Sequence, residues 1–132
     1  MAELVHFDSG SAEISEMDRP TLEARLLEMG GIVEQVGEFV NVSLYVGGYT
    51  DTVGSAASNR SLSERRARAI ASWFEEHGLN IPIYYQGFGE DVPAVNSGDE
   101  VDEAANRRAL FILRDDTPPM GPDVPSTNWH RL

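Results

Sequence analysis

The chain has 132 residues and a mass of 14.5 kDa; 41% of it is hydrophobic, and 22 acidic side chains against ten basic ones give a formal charge of −12 and a pI near 4.5. That length suits one compact domain with a buried core, whereas the acidic balance excludes a nucleic-acid binder and adsorption to an anionic membrane, both of which need a broad basic face. Cysteine is absent, which removes disulfides, thiolate metal sites and Cys nucleophiles together. No apolar run approaches the length of about 20 residues that a membrane helix needs, and "MAELVHFDSG" lacks the basic start and apolar core of a signal peptide, so the chain reads as soluble, with no direct membrane insertion.

Leu4 to Asp8, "LVHFD", is a short apolar run stopped by "SGS" and reads as a strand. Next comes a helical stripe of Leu22, Leu26, Met29, Val33 and Val36, with Asp18 as N-cap, Pro20 near the first helical position, and Gly30–Gly31 as a point of kinking or early termination. Val40, Val42, Leu44 and Val46 alternate with polar residues and Tyr45, the period of a strand covered on one face. Ser61 with Glu64 three residues later forms a capping-box start for a second helix running to His77, and Gly78 ends it. Leu62, Ala69, Ile70, Trp73 and Phe74 share one side of that helix as core, and Arg66 falls angularly on the same buried flank, where a charge needs a partner.

"IPIYYQGFG" reads as a third strand, which Pro82 restricts to an edge or a strand start. Glu90 to Glu103 is polar and turn-rich, and Arg107 to Asp115 is the fourth strand. Residues 116–132 hold four of the seven prolines and read as a Pro-rich flexible tail outside a domain spanning 4–115. The fold class is α/β: a two-layer sandwich in β-α-β-α-β-β order, with a small mixed four-stranded sheet and helices on one face.

Chemistry is scarce. His6, His77 and His130 have no metal-site spacing, and the chain contains no GxSxG elbow, Walker loop or dinucleotide-binding turn, so neither a metal, a cofactor nor an enzyme is expected. What remains is Asp51, after the second strand, and Arg66, in the first turns of the following helix, brought to the same end of the sheet by a βα unit. They form either a structural salt bridge or N-terminal charge pairing, with Asp51 capping its own turn, or a pocket in which Asp51 accepts from an ammonium group and Arg66 forks onto a carboxylate. Arg65 and Arg68 read as solvated or paired with Glu64 and other acids, Asp8 as a turn residue or an edge of the site, and Arg107 rather than Arg108 as the arginine directed at the pocket.

"GYTDTVGSAASNRSLSERRARAI" resembles the GHTD…G…N…LS…RA signature of OmpA-like peptidoglycan-binding domains, and "YYQGFGEDVPAVN" followed by "NRRALFIL" resembles that family's second half. The resemblance spans roughly Val5 to Arg114 and implies an α/β sandwich that binds bacterial peptidoglycan without catalysis, through the diaminopimelate residue of its stem peptide. It implies that Asp51 holds the amino group and Arg66 the carboxylate, with Asn59 and Leu62 lining the site, Thr50 shaping it and Arg107 at its rim. Tyr49 stands where the family has histidine, and its ring is expected to line the same pocket. The implied setting is the periplasm, with association to the outer membrane through sequence not present here. The alternative within the same fold is a domain for homodimerisation or docking in an envelope complex, with little wall binding.

Overall fold

A computed structural model describes residues 3–91, 104–121 and 124–132. The elements are β1 (Glu3–His6), α1 (Arg19–Val36), β2 (Ser43–Gly48), α2 (Ala56–Glu76), β3 (Ile83–Gly87), β4 (Arg108–Arg114) and β5 (His130–Arg131). Most of the segment from Glu90 to Glu103 lies outside the described residues. The strands form a sheet in the order β1-β4-β2-β3-β5. Only β2 and β3 run parallel, as their connection through α2 requires, and the other neighbours are antiparallel.

α1 buries Leu22 and Met29, with Leu26 packed against the core. It runs straight through Gly30 and Gly31, where an added methyl would meet nothing within 4 Å, so nothing in the packing demands a break. Asp18 makes no side-chain cap; instead the Ser15 hydroxyl accepts from the Met17 N–H and closes a 3-10 turn that leads into the helix. α2 begins at Ala56 rather than Ser61. Ser55 is its N-cap, accepting from the Ser58 N–H, and residues 56–60 extend the helix by more than a turn. Ala67 and Ala71, rather than Ala69, join Ile70, Trp73 and Phe74 beneath it. Gly78, at φ +95°, supplies the left-handed residue that ends it.

The approach of α2 to the sheet is set by two glycines. Gly48 and Gly87 are paired across β2 and β3. A Cβ at Gly48 would stand 1.9 Å from the Ser63 carbonyl oxygen, and one at Gly87 would stand 2.4 Å from the Glu64 nitrogen. The backbone of α2 therefore rests directly on the sheet at this point. The Ser63 hydroxyl completes the junction, accepting from the Gly89 N–H at 2.8 Å and donating to the Arg60 carbonyl at 2.7 Å.

Two expectations are corrected here: the sheet has five strands, not four, and the end of the chain packs against it instead of trailing away. β5 pairs with β3 at Tyr84 and Tyr85, and the Leu132 N–H donates to the Ile83 carbonyl at 2.9 Å. β2 is consequently covered on both faces: Leu44 and Val46 meet the helices, while Tyr45 meets Trp129 edge-on with ring centroids 5.3 Å apart. Pro82 sits just before β3, which is an interior strand. The proline-rich composition concealed this docking because a few anchoring aromatics, not a periodic pattern, carry it. Deleting Thr117–Leu132 is expected to lower folding stability by about 2–3 kcal/mol through loss of buried aromatic and aliphatic area. Urea unfolding measures it, and an unchanged midpoint would mean that the segment contributes nothing.

Candidate functional site

The site forms where β2, β3 and α2 meet. β2 ends at Gly48, and the chain turns through Tyr49, Thr50 and Asp51. The Tyr49 N–H donates to the Arg108 carbonyl at 2.8 Å and the Thr50 N–H to the Gly89 carbonyl at 2.9 Å, which pins the turn between β4 and the end of β3. Thr50 is buried, and its hydroxyl has no hydrogen-bond partner among the described residues. Asp51 Oδ1 accepts from the Val53 N–H at 3.2 Å, and Oδ2 accepts from Arg107 Nη1 at 3.2 Å. Arg107 Nε donates to the Phe7 carbonyl at 2.9 Å. Its side chain keeps 13% exposure and that of Asp51 7%, so solvent reaches the Arg107 end of the pair more than the Asp51 end.

Asn59, Leu62 and Arg66 descend one face of α2 at helical spacing and are all buried. The earlier start of the helix puts Asn59 inside its first turns. Asn59 Nδ2 donates both to the Asp51 carbonyl at 3.3 Å and to Glu90 Oε1 at 3.2 Å. Arg66 is completely buried. Its Nε donates to the Ser11 carbonyl at 2.7 Å, Nη1 to the Tyr49 carbonyl at 2.9 Å and Nη2 to the Asp8 carbonyl at 3.0 Å. The guanidinium carbon lies 5.3 Å from the centroid of the Phe7 ring. Burial lowers the Arg66 pKa to about 10, below its ordinary value; the nearby Asp51 charge opposes that shift, while Arg107 and Arg65 add to it. Arg66 is therefore still ionised at neutral pH.

Of the six expected residues, Thr50 and Asp51 share the turn after β2, Asp51 bonds Arg107, Asn59 reaches the Asp51 carbonyl and Arg66 the Tyr49 carbonyl, while Leu62 is buried between Asn59 and Arg66 on α2; Arg66 is covered by the Asp8–Ser11 turn. Tyr49 does not line it. Its ring turns to the opposite face of the sheet, stacked on Phe88 with centroids 5.2 Å apart, and the Arg108 guanidinium lies 4.0 Å from its centroid. The alternation of β4 explains the division between the arginines: Arg107 meets Asp51, and Arg108 goes to the aromatic face. Arg65 and Arg68 are exposed. The sequence reading missed Glu90 and the carbonyls of Asp8 and Ser11; for Glu90 the GxGE run was the available signal.

The sequence model of the OmpA family matches residues 6–107, most of the chain and every residue of this cluster. The chain belongs to the OmpA family. Among relatives, the probable lipoprotein YiaD of Escherichia coli is 31% identical over 110 residues, which are 83% of this chain and 47% of that protein. Outer membrane protein A of Escherichia fergusonii is 39% identical over 70 residues, covering 52% of this chain and 28% of that protein. The chain spans less than half the length of these two relatives. Among solved structures, the peptidoglycan-associated lipoprotein from Burkholderia pseudomallei superposes with a TM-score of 0.65 at 21% identity, covering 84% of this chain and 89% of that one. The C-terminal domain of Helicobacter pylori MotB gives 0.67 at 16% identity, covering 86% of each chain. These two structural matches share the OmpA-family fold described above.

Proposed function

We propose that this OmpA-family domain binds bacterial peptidoglycan through the diaminopimelate residue of the stem peptide, without catalysis, and in the periplasm ties the protein that carries it to the cell wall. The observation that carries the reading is the convergence of one carboxylate and two guanidiniums at a single end of the sheet, beside the amide of Asn59. A zwitterionic centre fits such a group: Asp51 takes the ammonium, and the guanidiniums take the carboxylate. Arg107, at the rim, meets the carboxylate first. Arg66 is reached when the carboxylate displaces the Asp8 and Ser11 carbonyls, an exchange of neutral acceptors for a charged one that strengthens each hydrogen bond. Thr50 and Leu62 give the wall its shape. The name of the Burkholderia protein, a peptidoglycan-associated lipoprotein, supports the same ligand class.

The test is calorimetry with a diaminopimelate-containing muropeptide and its lysine-type counterpart, which lacks the extra carboxylate. The first should bind, and the second should bind at least about tenfold more weakly, the loss of one charge-assisted hydrogen bond. Arg107→Gln should narrow that difference. Equal affinity of the two peptides would overturn the assignment. Incubation with sacculi should retain the protein and release no muropeptides.

A further inference from the structure

We infer that Glu90 is a second acidic ligand group of this site, sharing with Asp51 the recognition of the ligand's ammonium; the inference rests on the diaminopimelate reading above. Glu90 follows β3 and is held in place from both sides. The Gly89 N–H donates to Ser63 on α2, and the Gly89 carbonyl accepts from Thr50 in the Asp51 turn. Asn59 then joins the two acidic positions directly, one amide nitrogen donating to the Asp51 carbonyl and to Glu90 Oε1.

Asp51 alone is poorly equipped for an ammonium group. One of its oxygens already accepts from the Val53 N–H and the other from Arg107. An ammonium brings three donors and needs several acceptors arranged around it. Glu90 supplies what is missing: it is only half-buried, one oxygen is oriented by Asn59, and no described residue bonds the other. A purely structural partner for Asn59 would need only a neutral oxygen.

Glu90→Gln tests this while keeping an oxygen for Asn59. The ligands are free diaminopimelate and pimelate, which has the same chain and both carboxylates but no amino groups, titrated calorimetrically into the full chain. The expected result is that Glu90→Gln binds diaminopimelate about tenfold more weakly, leaves pimelate affinity unchanged or raised, and keeps the wild-type unfolding midpoint. Glu90→Asp, which retains the charge, should recover part of the preference for diaminopimelate. If wild type binds diaminopimelate and Glu90→Gln binds it equally well, the Glu90 inference fails alone. If wild type does not discriminate diaminopimelate from pimelate, ammonium recognition by Asp51 and Glu90 falls together.

Discussion

Replacing Arg66 with alanine is expected to lower folding stability by about 3–5 kcal/mol, a larger effect than most single substitutions produce. Its guanidinium donates to three backbone carbonyls from two separate parts of the chain, the Asp8–Ser11 turn and Tyr49. The Tyr49 carbonyl, whose bond is fully buried, would be left unpaired at a cost of about 1–3 kcal/mol, the part-buried Asp8 and Ser11 carbonyls would lose a charge-assisted partner, and the vacated volume adds a cavity term. The opposing gain is relief of the desolvation that lowers the arginine's pKa, and the nearby Asp51 charge has already offset part of that penalty. The net sign is therefore destabilising. Lysine in its place keeps the charge but loses the planar fork, so Arg66→Lys should fall between wild type and alanine. Urea unfolding of the three proteins checks the order. A loss below about 0.5 kcal/mol for alanine, the range of ordinary surface changes, would mean that the guanidinium does not hold these segments together. Binding measurements on such variants are informative only under conditions where the protein remains folded.

Gly48→Ala is the second large effect expected, about 3 kcal/mol or more, because the new methyl would meet the Ser63 carbonyl at 1.9 Å and the Ala67 nitrogen at 3.0 Å, both of them backbone. No side-chain rotation relieves a backbone clash, so α2 must lift from the sheet. Gly87→Ala attacks the same junction from the neighbouring strand, at 2.4 Å from the Glu64 nitrogen. Because both displace the same part of α2, their combined cost should be less than additive. Gly30→Ala provides the contrast: it is helical, with nothing within 4 Å of the added atom. There the substitution should stabilise by about 0.5–1 kcal/mol. Thermal unfolding of the four variants distinguishes steric contact from intrinsic propensity; a neutral Gly48→Ala would contradict the close packing of α2.

The sequence carried the alternation of Leu44 and Val46, the stripe of α1 and the buried position of Arg66, because each follows from a local period acting on one face. It misled at Ser61, where a capping box lies inside a helix that had already begun at Ala56 behind its Ser55 cap; the alanines at 56 and 57 continue a helix as readily as they precede one. It placed β5 in a flexible tail, because its two residues have no period and are held by Trp129 and Leu132 from a segment rich in proline. At the site, the family resemblance pointed to Asn59 and Leu62, and helical position put Arg66 on the buried flank, but neither indicated what covers it. That Arg66 would be covered depends on the Asp8–Ser11 turn, which is 55 positions away and marked in sequence only by small residues.

The placement of β1 has a mechanical consequence. Its far end, at Glu3, pairs with Phe111, while its near end leads through Phe7 and Asp8 to the carbonyls that hold Arg107 and Arg66. A pull exerted between a ligand seated at Asp51 and polypeptide joined ahead of Glu3 would act along the length of β1. The β1–β4 ladder would then be loaded in shear, its hydrogen bonds resisting together rather than unzipping one after another.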